Sequence, residues 1–326
     1  NLSFKEGVAY IGETSLIDIA KNYGTPLYVY DWEHLKDNIN VFTDAFGKDT
    51  LFRYAAKAFI SKALVKELDE EGWGIDVVSG GEMATVHETV GTLKNTVFNG
   101  TFKRTDEIEY FIQNNGGHIS IDNRYEIDML DKVASTLNKK QQVIMRINLD
   151  VGAETHPMVL TSGYDQQFGI SIGFAEEALG QIASSKSLLF SGIHVHVGSQ
   201  IKDPKRYKLA MTSCADFMNT HLEKVEGEAV FNAGGGFFSP YAGDEVDHEL
   251  SVYSQAIHDG VKEHWSKAYK VMIEPGRALV NNPGVILYTA GAIKSDRGEK
   301  PYILVDGGMS DNPRPALYGS EHKLFN

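Results

Sequence analysis

The chain has 326 residues, a net charge of −13 and 42% hydrophobic content. That balance argues against nucleic-acid and anionic-membrane partners, which need cationic faces, although one pocket can still be locally positive. The single cysteine, Cys214, excludes an intrachain disulfide and a thiolate metal cluster and suits a reducing cytoplasm. No apolar run of about 18 residues and no signal-peptide pattern is visible, so neither a membrane span nor export is expected.

In chain order, Ser15 is placed to cap a helix over LIDIAKNY, which Gly24 and Pro26 stop. The extended stretch PLYVYD follows. Then come eight short β-branched or apolar runs, at 51–56, 73–78, 97–99, 118–122, 142–148, 190–197, 229–234 and 269–274, with helix-compatible sequence between them. Eight β-then-α units predict an α/β fold, a (β/α)8 TIM-like barrel spanning 28–276. The first five runs start 21 to 24 residues apart and the later ones are more widely spaced. The added length is expected in loops at the functional mouth, above all at 154–169. After Glu274 the β/α alternation gives way to strand-like segments, which predict a second, all-β domain over 277–326 joined by residues 1–27. A two-sheet β domain takes about 100 residues, so this domain is expected to be incomplete at the C-terminus.

Nearly every run closes on residues that a buried strand disfavours: Lys57, Asp76, Asn99, Asp122, Arg146, His194 and His196, Gly234–Gly236, and Glu274. Barrels of this kind place the active site at the C-terminal mouth, so these residues are expected to converge on one pocket. Lys57 in YAAKAF has small apolar neighbours, which predict a desolvated, nucleophilic amine; the alternative is a lysine snorkelling to solvent. Glu274 could hold the proton of a pyridinium nitrogen, or simply pair with Arg277. Gly234, Gly235 and Gly236 bare their backbone N–H groups, as a phosphate cradle requires and as a flexible turn also would. His194 and His196, two apart on a strand, face the same way. One could stack on an aromatic cofactor while Ser199 donates to a phosphate. A zinc-binding His-x-His pair and two packed core histidines are the competing readings. Arg146 could neutralise a phosphate or orient a carboxylate and Asp76 could order the ligand's surroundings, or either could belong to a buried ion pair.

The ordered motifs YAAKAF, GIDVVSGGE, HVHVGSQ, NAGGGF, EPGRALV and VDGGMSDNPRPALYGSEH resemble the barrel-type (fold type III) pyridoxal-phosphate decarboxylases. Within that superfamily, RPALYG points to the diaminopimelate branch. The resemblance implies pyridoxal 5'-phosphate as cofactor and decarboxylation of a dicarboxylic amino acid, meso-diaminopimelate, to L-lysine and carbon dioxide. It implies Lys57 bonded to the cofactor aldehyde, His196 stacked on the ring, Glu274 paired with the pyridine nitrogen, and Asp76 supporting the site near Lys57. Ser199, Gly234, Gly235, Gly236 and the backbone at Gly276 would hold the phosphate. Arg277, Arg314 and Tyr318 would grip substrate carboxylates, with Arg277 sharing in phosphate binding. A head-to-tail homodimer in the cytoplasm is also implied. Two departures bear on these expectations. Phe59 stands where relatives commonly carry a smaller residue, and the family's later Cys-Glu and Tyr motifs are not among the 326 residues. The alternatives are therefore a related decarboxylase with another amino-acid or siderophore-precursor substrate, or a cofactor-binding homologue without turnover. A metal-dependent hydrolase built on His194 and His196 is remote, because it leaves Lys57, Glu274 and the glycine triplet unexplained.

Overall fold

The computed structural model describes residues 2–149, 167–225, 227–240, 249–295 and 301–325. Eight strands form a closed parallel ring: β1 (Leu51–Ala55), β2 (Gly74–Val77), β3 (Thr96–Phe98), β4 (His118–Ile121), β5 (Gln141–Asn148), β6 (Leu188–His194), β7 (Ala229–Asn232) and β8 (Tyr269–Ile273). Each pairs in parallel with the next, and β8 closes onto β1 through Met272 opposite Leu51 and Ile273 opposite Phe52. The barrel expected from the sequence is therefore present, with strand ends within three residues of the predicted runs. A two-residue strand, Ile170–Ser171, adds to β5 in parallel. The predicted mouth loop at 154–169 lies mostly outside the described residues.

Local chemistry explains the alternation. After β1 comes α1 (Lys62–Glu70), whose first turn is closed by Ser61 Oγ accepting from the Leu64 N–H at 3.2 Å. After β2 comes α2 (Gly80–Val90), capped by Ser79, while the Glu82 carboxylate returns to the Val78 N–H at 2.6 Å. Further helices follow β3 to β7: α3 (Thr105–Gln113), α4 (Tyr125–Thr136), α5 (Ile172–Ser184), α6 (Lys205–Thr220) and α7 (Leu250–Lys262), while β8 is followed by the short helix Arg277–Val280. Their buried stripes repeat at helical spacing, as with Leu64, Val65 and Leu68 on α1. Burying each such leucine contributes about 1.5–3 kcal/mol. Val97, Ile144, Val230 and Met272 pack together with half-buried Leu51 against them. Four of those five come from odd-numbered strands, as expected for one layer of a filled barrel interior. On the outer side of β1, the Phe52 ring stacks on Trp73 at 4.4 Å.

The described residues within 1–41, 239–247 and 279–326 form a separate unit. It contains the antiparallel strands Leu2–Lys5, Val8–Ile11 and Thr14–Ser15 and the helix Leu16–Tyr23, capped by Ser15 as expected. Leu27–Tyr30 runs antiparallel to Gly284–Leu287, which makes PLYVYD part of this unit. Ala290–Lys294 and Tyr302–Val305 form a further antiparallel pair, followed by the helix Arg314–Tyr318. Among the described residues no helix is long and apolar enough to cross a membrane.

Candidate active site

A cavity of about 340 Å³ opens at the C-terminal mouth of the barrel, within the range typical of small-molecule sites. Lys57, Asn99, Arg146, His194, His196 and Glu274 line it, together with the segment from Gly100 to Phe102, Val78 and Phe168. Six residues singled out from the sequence thus meet at one place: Lys57, Asn99, Arg146, His194, His196 and Glu274.

Glu274, immediately after β8, is the hub. Its Oε1 accepts from Asn232 Nδ2 at 2.6 Å and from Asn99 Nδ2 at 2.9 Å, and its Oε2 lies 3.3 Å from His194 Nε2. The same Asn99 amide nitrogen donates to Asp76 Oδ1 at 2.7 Å, so one side chain bridges two buried carboxyls. His194 Nδ1 meets Ser120 Oγ at 2.9 Å. Six strands of the ring therefore send polar groups to one buried network: β2 through Asp76, β4 through Ser120, β6 through His194 and β7 through Asn232, with Asn99 and Glu274 at the ends of β3 and β8. Burial works against the charge of Glu274, but His194 and the two asparagine amides outweigh it and hold the carboxyl well below its ordinary range. Asp76 goes the other way: burial first, and then the Glu274 charge, push it up to about 8. The pair thus keeps one negative charge and one proton at neutral pH.

His196 is also in the wall. Burial, with Lys57 and Arg146 adding to it, pushes its ring down to about 3, so the imidazole is neutral at physiological pH. Arg146 Nη1 lies 3.4 Å from Asp122 Oδ1 and its guanidinium stacks 4.8 Å over Phe168, so of its two expected roles it has a carboxylate to orient. Among the described residues no group of three or more His, Cys, Asp or Glu side chains is arranged to hold a metal ion.

The desolvated amine expected at Lys57 is corrected by the structure: Lys57 is exposed. It sits on the single 3₁₀ turn Ala56–Ala58, one step beyond the end of β1, and this turn lifts it from the wall to the rim while Ala55 and Ala56 stay buried. Two bonds anchor the turn. The Ala55 N–H donates to the Pro275 carbonyl at 3.0 Å and Tyr54 Oη donates to the Phe59 carbonyl at 2.7 Å. Gly276 packs against it, with an added Cβ only 3.1 Å from the Ala55 Cβ.

The glycine triplet does not line the cavity, but its geometry is specific. Gly234 O accepts from the Glu274 N–H, Gly235 O from Tyr207 Oη and Gly236 O from the Ile201 N–H, at 2.8 to 2.9 Å. In a planar trans peptide the next N–H points opposite to each carbonyl, so the Gly235 and Gly236 amides face away from that packing. Among the described residues neither amide donates a hydrogen bond, whereas the Gly234 N–H is taken by Asn232 Oδ1 at 2.9 Å. A Cβ at Gly235 would stand 2.2 Å from the Glu274 carbonyl oxygen and one at Gly236 only 1.9 Å from that of Gly198. These glycines are required by close backbone approach and are not merely a flexible turn. Ser199 is exposed just beyond Gly198, and Arg277 opens the short helix Arg277–Val280. Arg314 starts a helix of the other unit, and the side chain of Tyr318 at its end lies outside the described residues.

Sequence reasoning did not single out Asn232 or Ser120 and gave Asn99 no role. An asparagine two residues before a glycine triplet carried a signal, since its amide can serve the turn and a neighbour at once.

The pair of carboxyls has a measurable consequence. Between about pH 4 and pH 8 the folded chain holds the Asp76 proton and the unfolded chain does not, so this group makes stability fall as pH rises. His196, and His118 at about 4, act in the opposite sense at lower pH. The difference in urea midpoint between the parent and Asp76→Asn isolates the effect. It is expected to move against the parent from pH 4.5 to 8, and a flat difference would show Asp76 ionised in the folded chain.

A family profile described as "Pyridoxal-dependent decarboxylase, pyridoxal binding domain" matches residues 32–281. The diaminopimelate decarboxylases of Bacillus methanolicus and Bacillus subtilis are each 35% identical over 98% of this chain, covering 76% and 75% of their own lengths. A solved diaminopimelate decarboxylase of M. jannaschii in co-complex with L-lysine superposes with a TM-score of 0.91 at 31% identity, over 99% of this chain and 77% of that one.

Proposed function

We propose the reaction from one premise: this chain belongs to the pyridoxal-dependent decarboxylase family, in its diaminopimelate decarboxylase branch. It removes carbon dioxide from meso-diaminopimelate to release L-lysine. The observation that carries this reading is the cavity in which Lys57, neutral His196 and ionised Glu274 meet, next to a turn whose free amides suit a phosphate. The L-lysine bound to the M. jannaschii relative is the product expected here.

The residues suit pyridoxal 5'-phosphate on the evidence of their own geometry. A Cβ would fill the space at Gly235 and Gly236, and the donors left over there are backbone amides, which bind phosphate well. When bound, the cofactor supplies an electron-poor ring that takes up the electron pair left as carbon dioxide departs. Lys57 would anchor the cofactor through its amine, for which exposure at the rim gives access. Glu274 would hold a proton at the ring nitrogen and His196 would support the ring, with Asp76 near Lys57. Gly235 and Gly236, with Ser199 and the backbone at Gly276, would hold the phosphate, while Gly234, whose N–H is taken by Asn232, would shape the turn. Arg277 receives a carboxylate, for which the guanidinium fork is suited. The assignment of Arg314 and Tyr318 to substrate carboxylates rests on the RPALYG motif and not on placement. Arg146 keeps Asp122 in register at the mouth.

We further propose a cytoplasmic homodimer with no nucleic-acid or membrane partner, in keeping with the net charge of −13 and the single buried Cys214. Sedimentation as a monomer at micromolar concentration would remove the dimer from this reading.

The deciding experiment supplies purified chain and pyridoxal phosphate with meso-diaminopimelate, L-lysine, ornithine and arginine in turn. Lysine formed from meso-diaminopimelate, with turnover of the other three at least about tenfold lower, is the expected result. Carbon dioxide released only from another amino acid would reassign the substrate. Bound cofactor with no product from any of them would leave a homologue without turnover.

A further inference from the structure

Two charged residues at the mouth take no part in the assignments above. The Lys103 and Glu126 side chains are 0% and 5% exposed and form an ion pair at 3.0 Å. Burial drags the Lys103 amine down and the Glu126 carboxyl up, each opposed by the other's charge. Taking both groups out of water is costly, and an apolar pair of the same volume would often be as stable or more so. Packing stability alone therefore does not explain why they are charged.

Their remaining hydrogen bonds suggest what they do. Lys103 Nζ donates to the Gly100 carbonyl at 2.8 Å, closing the turn that runs from the end of β3. Glu126 Oε2 accepts from the Asp122 N–H at 2.9 Å, at the end of β4. Asp122 Oδ1 in turn accepts from the Gly169 N–H at 3.1 Å and meets Arg146 of β5. One end of the pair thus terminates on the cavity-lining backbone at Gly100 and the other on Asp122, the carboxylate partner of cavity-lining Arg146, a task that apolar side chains cannot perform. The closed turn is special in itself. Gly100 has φ +117, a conformation that L side chains rarely adopt, and Gly100, Thr101 and Phe102 all line the cavity. The residue just before it, Asn99, carries the bridge between Asp76 and Glu274.

We propose that Lys103 and Glu126 are positioning residues for the decarboxylation inferred above, holding the 99–102 turn so that Asn99 keeps both of its carboxyl partners. The inference rests on that reading of the cavity. The pair touches neither substrate nor cofactor; it acts through Asn99 and the backbone at Gly100 and Asp122.

The test is the double variant Lys103→Met/Glu126→Leu, which removes both charges together and so avoids leaving one of them stranded in the core. Three quantities are compared with the parent: thermal midpoint, amide hydrogen exchange over residues 99–103 in the chain without cofactor, and the Kd for pyridoxal phosphate from an absorbance titration. The expected result is a midpoint close to the parent's, exchange of the 99–103 amides at least tenfold faster, and a Kd raised at least tenfold. Parent-like exchange and a parent-like Kd in the folded double variant would make the pair a simple strut and overturn the proposal. Should the double variant not fold, Lys103→Arg keeps the charge but changes the donor geometry at Gly100. Exchange or Kd raised at least threefold supports the proposal, and values equal to the parent's overturn it. A parent chain that binds no pyridoxal phosphate would sink the functional reading, while the exchange measurement would still decide whether the pair holds the turn.

Discussion

Lys57→Ala is expected to abolish the visible absorbance change on adding pyridoxal phosphate and to lower lysine formation by about 10³- to 10⁴-fold. Lys57 is the amine lining the cavity, on a turn tied to Pro275 and Phe59, so its place is set by backbone bonds that alanine leaves intact. The substitution removes an exposed side chain, so the thermal midpoint should move little. Loss of rate with no loss of stability is therefore the expected combination. Lys57→Arg should be equally inactive, because guanidinium keeps the charge but is not a nucleophile at neutral pH. Recovery of more than a tenth of the parent rate in either variant would show that Lys57 is not the covalent anchor.

Glu274→Gln should lower kcat by about 10²- to 10³-fold, the scale of removing one preorganised electrostatic partner of a reacting group. The variant is informative because the site can accept it. The glutamine oxygen can take the place of Oε1, receiving the Asn99 and Asn232 amides. Its NH₂ then faces His194 Nε2, which can accept if the ring carries its proton on Nδ1 toward Ser120. Folding is thus preserved while the carboxylate that would hold the ring nitrogen's proton is lost. A second readout follows from the neighbouring carboxyl. With the Glu274 charge gone, one of the causes holding Asp76 near 8 disappears, and the window in which stability falls with pH should narrow from its upper end. Unchanged kcat in a folded Glu274→Gln chain would remove Glu274 from its assigned role.

Lys57 also marks where sequence reading stopped. YAAKAF correctly announced a strand end, and its alanines suggested a dry amine. Whether an amine is dry depends on what lies across the mouth and on how the chain turns after Ala55, and a single 3₁₀ turn put Lys57 at the rim. Asn232 shows a related limit. Its role needs a glycine amide two residues away, which sequence can suggest, and a carboxylate 42 residues away, which it cannot. Lys103 in TFKRTDE was not singled out from the sequence, yet its side chain is wholly buried, paired with Glu126 of the next β/α unit.

What the sequence determined by itself was the ring of eight strands, their order, and hence which residues stand at the mouth. Those features follow from short-range rules: strand period, caps such as Ser61 and Ser79, and the crossover that makes successive β/α units parallel. The tertiary structure alone decided which groups at the mouth touch and where the protons sit. Asn99 reaches Glu274 across 175 residues of chain, and that bond, with burial and the approach of His194, leaves Glu274 charged and Asp76 protonated. Proton affinities are set by distances of a few ångströms and by access to water, and both exist only once the barrel has closed.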